Sequence, residues 1–201
     1  MTPIILLAGG ASSRMGMPKG LVPVNGKPWL TLQLERLNNA SLSPIVLVLG
    51  HQKELYLEAA PWKDFDIQLS ENPRPELGPF SSLQVGLKNL PPDRSSFLLP
   101  VDVPAPEPSV FTSLLERASE SHPLAAIPTY QGRRGHPVWL AGTLLNDLRL
   151  RDAQRRESRL DFILRSLPSE QVLTVPVQDP RVIMNLNTPQ DFTKMASPSA
   201  E

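Results

Sequence analysis

The chain alternates short, unbroken apolar runs with longer stretches whose apolar residues recur at helical spacing. Ile4-Ile5-Leu6-Leu7-Ala8, Ile45-Val46-Leu47-Val48-Leu49 and Phe97-Leu98-Leu99-Pro100-Val101 are too short for ordinary helices and read as strands. Their apolarity is continuous, as in strands covered on both faces of a parallel sheet. Pro100 removes a ladder donor and so belongs near the end of its strand. Further strands are expected at 66–69, 124–128, 137–140 and 171–177, and a last short one at 183–187. Between them Leu30, Leu34 and Leu37 form one helical stripe. Phe80, Leu83, Leu87 and Leu90 form another, and Val110, Leu114 and Ala118 a third. Helices are also expected at 52–60, 142–151 and 159–167. Thr188 caps a closing helix with Pro189 at its first position. Asn25-Gly26 marks a hairpin, and Pro28 suits the start of the helix after it. The prolines within 71–79 argue against regular structure there.

Strands alternate with helices throughout, which predicts a three-layer α/β/α sheet, mostly parallel. The return at 133–140 brings in an antiparallel strand and makes the sheet mixed. No repeat, low-complexity stretch or linker interrupts the chain. One domain over 1–196 is expected, followed by a flexible tail at 197–201.

Composition narrows the partners. A chain of 201 residues can bury one sizeable α/β core. Lysine plus arginine equals aspartate plus glutamate, 20 each, so no global field favours nucleic acid or a membrane surface. The absence of cysteine excludes disulfides, thiolate catalysis and cysteine-bound zinc. It is compatible with the cytoplasm, the expected location. Met1-Thr2-Pro3 is not followed by a basic region and a long apolar core, so no secretory leader is expected, and no apolar run approaches the ~20 residues of a membrane span.

The candidate chemistry begins where the first strand empties into Gly9-Gly10-Ala11-Ser12-Ser13-Arg14-Met15-Gly16-Met17-Pro18-Lys19. Glycine admits close backbone approach, and successive N–H groups can converge on phosphate oxygens. Arg14 and Lys19 add positive charge. The spacing matches neither a Walker A loop nor the dinucleotide fingerprint, so from its residues alone the loop also reads as a plain βα turn. In open α/β sheets ligands bind beyond the carboxyl ends of the strands. Asp102 stands at one such end, placed to hold a hard cation or to cap a loop. Asn185 and Asn187 stand at alternate positions of the last expected strand and point to one side. Gly78 precedes a helix and permits close approach to a nucleoside. His136 reads as an acceptor contact or as a packed turn residue. His51 and His122 read as surface residues. The arginines at 149–165 interleave with acids and form a solvated, salt-bridged face.

The segment Leu7-Ala8-Gly9-Gly10-x-Ser12-x-Arg14-Met15-Gly16-x-Pro18-Lys19 resembles the signature loop of nucleotidyltransferases that join a nucleoside triphosphate to a phosphorylated acceptor. Among these it is most similar to the molybdenum-cofactor nucleotidyltransferases. Pro100-Val101-Asp102-Val103-Pro104, Asn185-Leu186-Asn187-Thr188-Pro189 and Gly135-His136-Pro137-Val138 resemble further segments of that family. The resemblance implies a Rossmann-like nucleotidyltransferase fold and a Mg²⁺ cofactor held by Asp102 and Asn187. It implies nucleotide contacts at Leu7, Ala8, Gly9, Gly10, Ser12, Lys19, Asn72, Gly78 and Asp102, with Arg14, Lys19 and Asp102 as catalytic residues. The implied reaction moves a nucleoside monophosphate to the phosphate of molybdopterin and releases pyrophosphate.

The Leu7-Ala8-Gly9-Gly10 form favours GTP. Gly78-Pro79-Phe80-Ser81-Ser82-Leu83 and Gly135-His136-Pro137-Val138 lean towards CTP with the same acceptor. A sugar-phosphate nucleotidyltransferase and a non-catalytic nucleotide-binding chaperone for a molybdoenzyme are the other readings. Contacts with molybdoenzymes or cofactor-pathway proteins accompany the implied function.

Overall fold

The computed structural model describes residues 1–12 and 15–196. Strand β1 (Ile4–Ala8) leads into the glycine-rich loop. A short hairpin follows, β2 (Pro23–Val24) and β3 (Lys27–Pro28), whose turn places Asn25 and Gly26 at φ 50° and 77°. Helix α1 (Trp29–Asn39) comes next, then β4 (Ile45–Leu49), α2 (Lys53–Ala59), β5 (Ile67–Glu71) and α3 (Pro79–Leu87). Strand β6 (Ser96–Pro100), α4 (Pro108–Ser121), β7 (Ala125–Tyr130), β8 (Arg133–Arg134) and β9 (Val138–Leu140) continue the chain. It closes with α5 (Gly142–Leu150), α6 (Leu160–Ser166), β10 (Val172–Pro176) and α7 (Pro189–Ala196).

The main sheet runs in the order β10-β7-β9-β6-β1-β4-β5, with β8 added to β7. β1 pairs in parallel with β4 and β6, β4 with β5, and β7 with β10. Within this sheet only β8 and β9 run against their neighbours among the described strands. The expected antiparallel return is therefore β9, wedged between β6 and β7. β1 and β4 are buried at every position because both sheet faces are covered. Alternate residues serve alternate layers. Ile4, Leu6, Leu47 and Leu49 pack against α1, α4 and α7 through Leu30, Leu34, Phe111 and Phe192. Ile5, Leu7, Val46 and Val48 pack against α3, α5 and α6 through Leu83, Leu87, Leu145 and Ile163. This is the three-layer α/β/α arrangement.

Three expectations need correction. Residues 183–187 form no strand: Pro180–Ile183 is a 3-10 turn, and the backbone beyond it is extended without a ladder. Leu186 instead donates its N–H to Asp102 O at 2.8 Å. Residues 71–79 are not wholly irregular, since Glu71 ends β5 and Pro75–Leu77 is a 3-10 turn. Helix α3 stops at Leu87, before Leu90, which is buried all the same after a turn closed by Leu90 N–H to Leu87 O. The tail at 197–201 lies outside the described residues. No helix among the described residues is long and apolar enough to cross a membrane.

Candidate active site

After β1 the chain passes to β4 and β5 on one side, then returns to place β6 on the other. This reversal opens a crevice at the carboxyl ends of β1 and β6, the usual ligand position in an open α/β sheet. A cavity of about 420 Å³ lies there. Leu7, Ala8, Gly9, Gly10, Ser12, Lys19, Gly78, Asp102 and Asn187, all singled out in the sequence, line it. Arg14 lies outside the described residues.

The loop is shaped by local chemistry. Ser12 takes φ 49°, its carbonyl accepts from Met15 N–H, and its Oγ accepts from Lys19 N–H at 3.1 Å. One side chain thus ties both ends of the turn. Gly9 and Gly50 meet where β1 and β4 end. A Cβ on Gly50 would lie 2.8 Å from Gly9 O and 2.9 Å from Gly9 Cα, so only glycine fits. His51 N–H then donates to Gly9 O. His51 itself is half-buried and lines the cavity. Across the crevice Gly78 takes φ 87° and starts α3 with Pro79 at its first turn.

Three polar side chains meet at the centre. Lys19 Nζ donates to Asp102 Oδ2 at 2.8 Å and to Asn187 Oδ1 at 2.8 Å. The Lys19 and Asp102 side chains are 15 % and 27 % exposed, so the pair is partly withdrawn from water yet open to the cavity. Asn187 is set by a capping box. Asp191 Oδ2 accepts from the backbone N–H groups of Asn187 and Thr188, and Thr188 Oγ1 accepts from Asp191 N–H. These bonds hold the Asp191 carboxyl below its usual range. Asn185 does not share the site. It lines a separate cavity with Arg36 and Arg181, because without a ladder alternate residues need not face one way.

Asn72 does not line the crevice either. It is buried behind α3, where its Nδ2 donates to Ser81 Oγ and Ser82 Oγ and its Oδ1 accepts from Arg74 N–H. Only Ser82 of this group reaches the cavity. His136 is half-buried beside Asp102 but is not a lining residue. Burial pushes its imidazole below the usual range, and the Asp102 charge opposes that shift. In the basic stretch at 149–165 Arg151 pairs with Asp147, Arg155 with Asp152 and Arg159 with Asp161, whereas Arg149 donates to Leu90 O and Pro91 O and Arg156 lies over the Phe162 ring.

Sequence reading missed Tyr56. This buried phenol on α2 accepts from Gly20 N–H at 3.0 Å, directly after Lys19. Burial pushes it up to about 12, while the Gly20 N–H pulls the other way. Its only signal was an aromatic residue between Leu55 and Leu57 in a short helix.

Comparison with known proteins gives a consistent picture. Residues 4–172 match the family described as the MobA-like NTP transferase domain. A probable molybdenum cofactor guanylyltransferase of Rhodopirellula baltica is 32 % identical over 196 residues, covering 94 % of this chain and 88 % of that protein. The molybdenum cofactor guanylyltransferase of Vibrio atlanticus is 29 % identical over 201 residues, covering 98 % and 96 %. Among solved structures, a Mycobacterium tuberculosis protein shares the fold with a TM-score of 0.77 at 21 % identity, over 98 % of each chain. A second structure of that protein, with TM-score 0.70 at 20 % identity over 97 % of each chain, is a complex with manganese.

Proposed function

The chain belongs to the MobA-like NTP transferase family and is a nucleotidyltransferase, and from that premise we propose that it transfers GMP from GTP to the phosphate of a molybdopterin-type acceptor. Mg²⁺ is the proposed cofactor and pyrophosphate the leaving group. The names of the relatives at 29 % and 32 % identity support this donor and acceptor.

The observation that carries the chemistry is the meeting of Lys19 Nζ with Asp102 Oδ2 and Asn187 Oδ1, each at 2.8 Å, beneath the glycine loop. Two hard oxygens from separate segments already converge on one cation. A carboxylate plus an amide oxygen suits an ion that takes its other ligands from water and phosphate, which is the habit of Mg²⁺. Among the described residues no group of three or more His, Cys, Asp or Glu gathers into a denser metal cage. The manganese complex of the mycobacterial structure agrees with a divalent ion. In this reading Asp102 and Asn187 hold the metal, which, when bound, neutralises phosphate oxygens of the nucleotide.

The rest falls to the chain's own groups. The Gly9, Gly10 and Ser12 backbone cradles the triphosphate. Lys19 donates to its oxygens as negative charge moves towards the leaving group. An oxygen of the acceptor phosphate attacks the α-phosphorus in line, and the bond from that phosphorus to pyrophosphate breaks as the new one forms. The attacking phosphate arrives as an anion, so no protein base is needed.

Thermal shift with each of GTP, CTP, ATP and UTP plus Mg²⁺ tests the donor. GTP at roughly 100 times its Kd should stabilise the fold by about 2.7 kcal/mol, and the others should not. A shift with CTP and none with GTP replaces the guanylyl reading by cytidylyl transfer, towards which residues 78–83 and 135–138 lean. No shift with any triphosphate overturns the reading.

A further inference from the structure

Asp102 sits just past the last hold of the strand ladder, where Val101 N–H donates to Leu7 O of β1 at 2.9 Å. After β6 ends at Pro100, residues 101–106 cross the top of the sheet as a turn and an irregular stretch. The only side chain that meets the Asp102 carboxylate, among the described residues, is Lys19. Apart from the pull of Lys19, the direction of that carboxylate is therefore set by its backbone.

The backbone is held from below by helix α1. Gln33 has no exposed surface, on a helix face otherwise made of Trp29, Leu30, Leu34 and Leu37. Its Nε2 donates to Val103 O at 2.7 Å and to Val101 O at 3.3 Å, and its Oε1 accepts from Ala105 N–H at 2.8 Å. Trp29 lies one turn earlier and is equally buried, and its Nε1–H donates to Val101 O at 2.6 Å. Leu186 N–H takes the remaining carbonyl, that of Asp102 itself, at 2.8 Å. All three carbonyls from Val101 to Val103 are thus engaged, as is the N–H of Ala105.

A buried amide is costly unless its hydrogen bonds are made. Here both ends of one side chain are used on either side of a single aspartate. A leucine would fill the same space more cheaply but could hold neither flank. The Leu186 bond also ties Asp102 to the residue before Asn187, so both proposed metal ligands move with one frame.

We infer that Gln33, assisted by Trp29, is a positioning residue of the metal site: it fixes the 101–105 backbone so that the Asp102 carboxylate and the Asn187 amide oxygen converge on one point, the place that Lys19 Nζ now takes. The inference rests on the reading of Asp102 and Asn187 as metal ligands. A merely structural Gln33 and a positioning Gln33 differ in one respect. If it only fills the core, its loss lowers stability and leaves the metal affinity of the folded protein unchanged. If it positions Asp102, metal affinity falls in protein that is still folded.

The test uses the full chain with a non-hydrolysable GTP analogue and Mn²⁺, counting free Mn²⁺ by electron paramagnetic resonance. Gln33→Met keeps volume and linearity but removes both donors and the acceptor. Its Mn²⁺ dissociation constant should rise about tenfold or more, the usual cost of losing such outer support. Binding of the analogue without metal should stay within about twofold of wild type. Trp29→Phe removes one donor to Val101 O and leaves Gln33 in place, so a rise of about threefold is expected. It carries the test alone if Gln33→Met does not fold. Asp102→Asn is the control. If Asp102→Asn loses Mn²⁺ while every folded variant at Trp29 and Gln33 binds it like wild type, the positioning inference is overturned and the metal reading stands. If Asp102→Asn itself binds Mn²⁺ like wild type, the metal reading fails and takes the inference with it.

Discussion

Lys19 is the residue on which the site turns, because its one ammonium engages oxygens from two distant parts of the chain. Its main-chain N–H is fixed by Ser12 and the next N–H by Tyr56, so its stem is placed before any ligand arrives. Lys19→Ala keeps these backbone bonds and removes only the charge. The fold should persist, with a melting temperature close to wild type. Guanylyl transfer in a steady-state assay should fall by about a thousandfold, the scale of losing a preorganised charge at a developing anion. Turnover within a few-fold of wild type would remove Lys19 from the mechanism. Lys19 and Asp102 were legible in the sequence because each follows an apolar run that ends at the ligand edge of the sheet. Gln33 and Trp29 were not. Their partners lie 72 positions away for Gln33 to Ala105 and for Trp29 to Val101, and an apolar stripe alone hides a buried amide within it. Asn72 was legible as a special residue but not in its placement, since only the packing of α3 shows that it faces Ser81 and Ser82 and not the cavity.

Helix α2 and the 3-10 turn Lys19–Leu21 act as one element through Tyr56. A Cβ on Gly20 would lie 2.7 Å from the Tyr56 hydroxyl, so the contact is close as well as polar. Tyr56→Phe leaves the buried Gly20 N–H unpaired and should cost about 1 kcal/mol at neutral pH. The pH dependence follows from the raised phenol. An unfolded tyrosine ionises near pH 10 and the folded Tyr56 at about 12. Its stabilising contribution is full below about pH 10 and is lost as pH rises through the folded value, with a slope on the order of 1 kcal/mol per pH unit. Urea unfolding of wild type and Tyr56→Phe at stepped alkaline pH isolates this limb. Parallel curves above about pH 10 would show that Tyr56 is not coupled to folding. A second joint lies between β1 and β4. Gly50→Ala drives a methyl into the Gly9 backbone, which has no flexible end to move. Denaturant midpoints should report a loss of about 1–3 kcal/mol, and GTP affinity should weaken as the loop shifts. The segment 183–187 shows why an apolar pattern can mislead at this scale. Met184 and Leu186 alternate with Asn185 and Asn187 like a strand, but a 3-10 turn and the Thr188–Asp191 capping box use the local hydrogen bonds first.

Across the whole molecule, the alternation of buried strands and striped helices made the three layers legible, but not the order of the strands. Parallel neighbours are joined by crossovers, so adjacency in the sheet is set by where each helix returns the chain. That return puts β6 beside β1 and brings Asp102 to Lys19 across 83 positions. The charge balance was legible at once, and it carries a kinetic consequence. With 20 basic and 20 acidic residues the chain has no net field to draw in a highly anionic nucleotide. Among the described residues Lys19 is the one lysine or arginine that lines the cavity, and Asp102 partly offsets its charge. Steered association falls steeply with ionic strength because added salt screens charges beyond the Debye length, about 10 Å at 0.1 M. A site that works only at contact range has little steering to lose. Stopped-flow binding of a fluorescent GTP analogue should therefore show an association rate that changes less than about threefold between roughly 0.05 and 0.5 M NaCl, while dissociation quickens as salt weakens the contacts themselves. A tenfold or greater fall in the association rate over that range would mean that a long-range positive field surrounds the crevice despite the neutral chain.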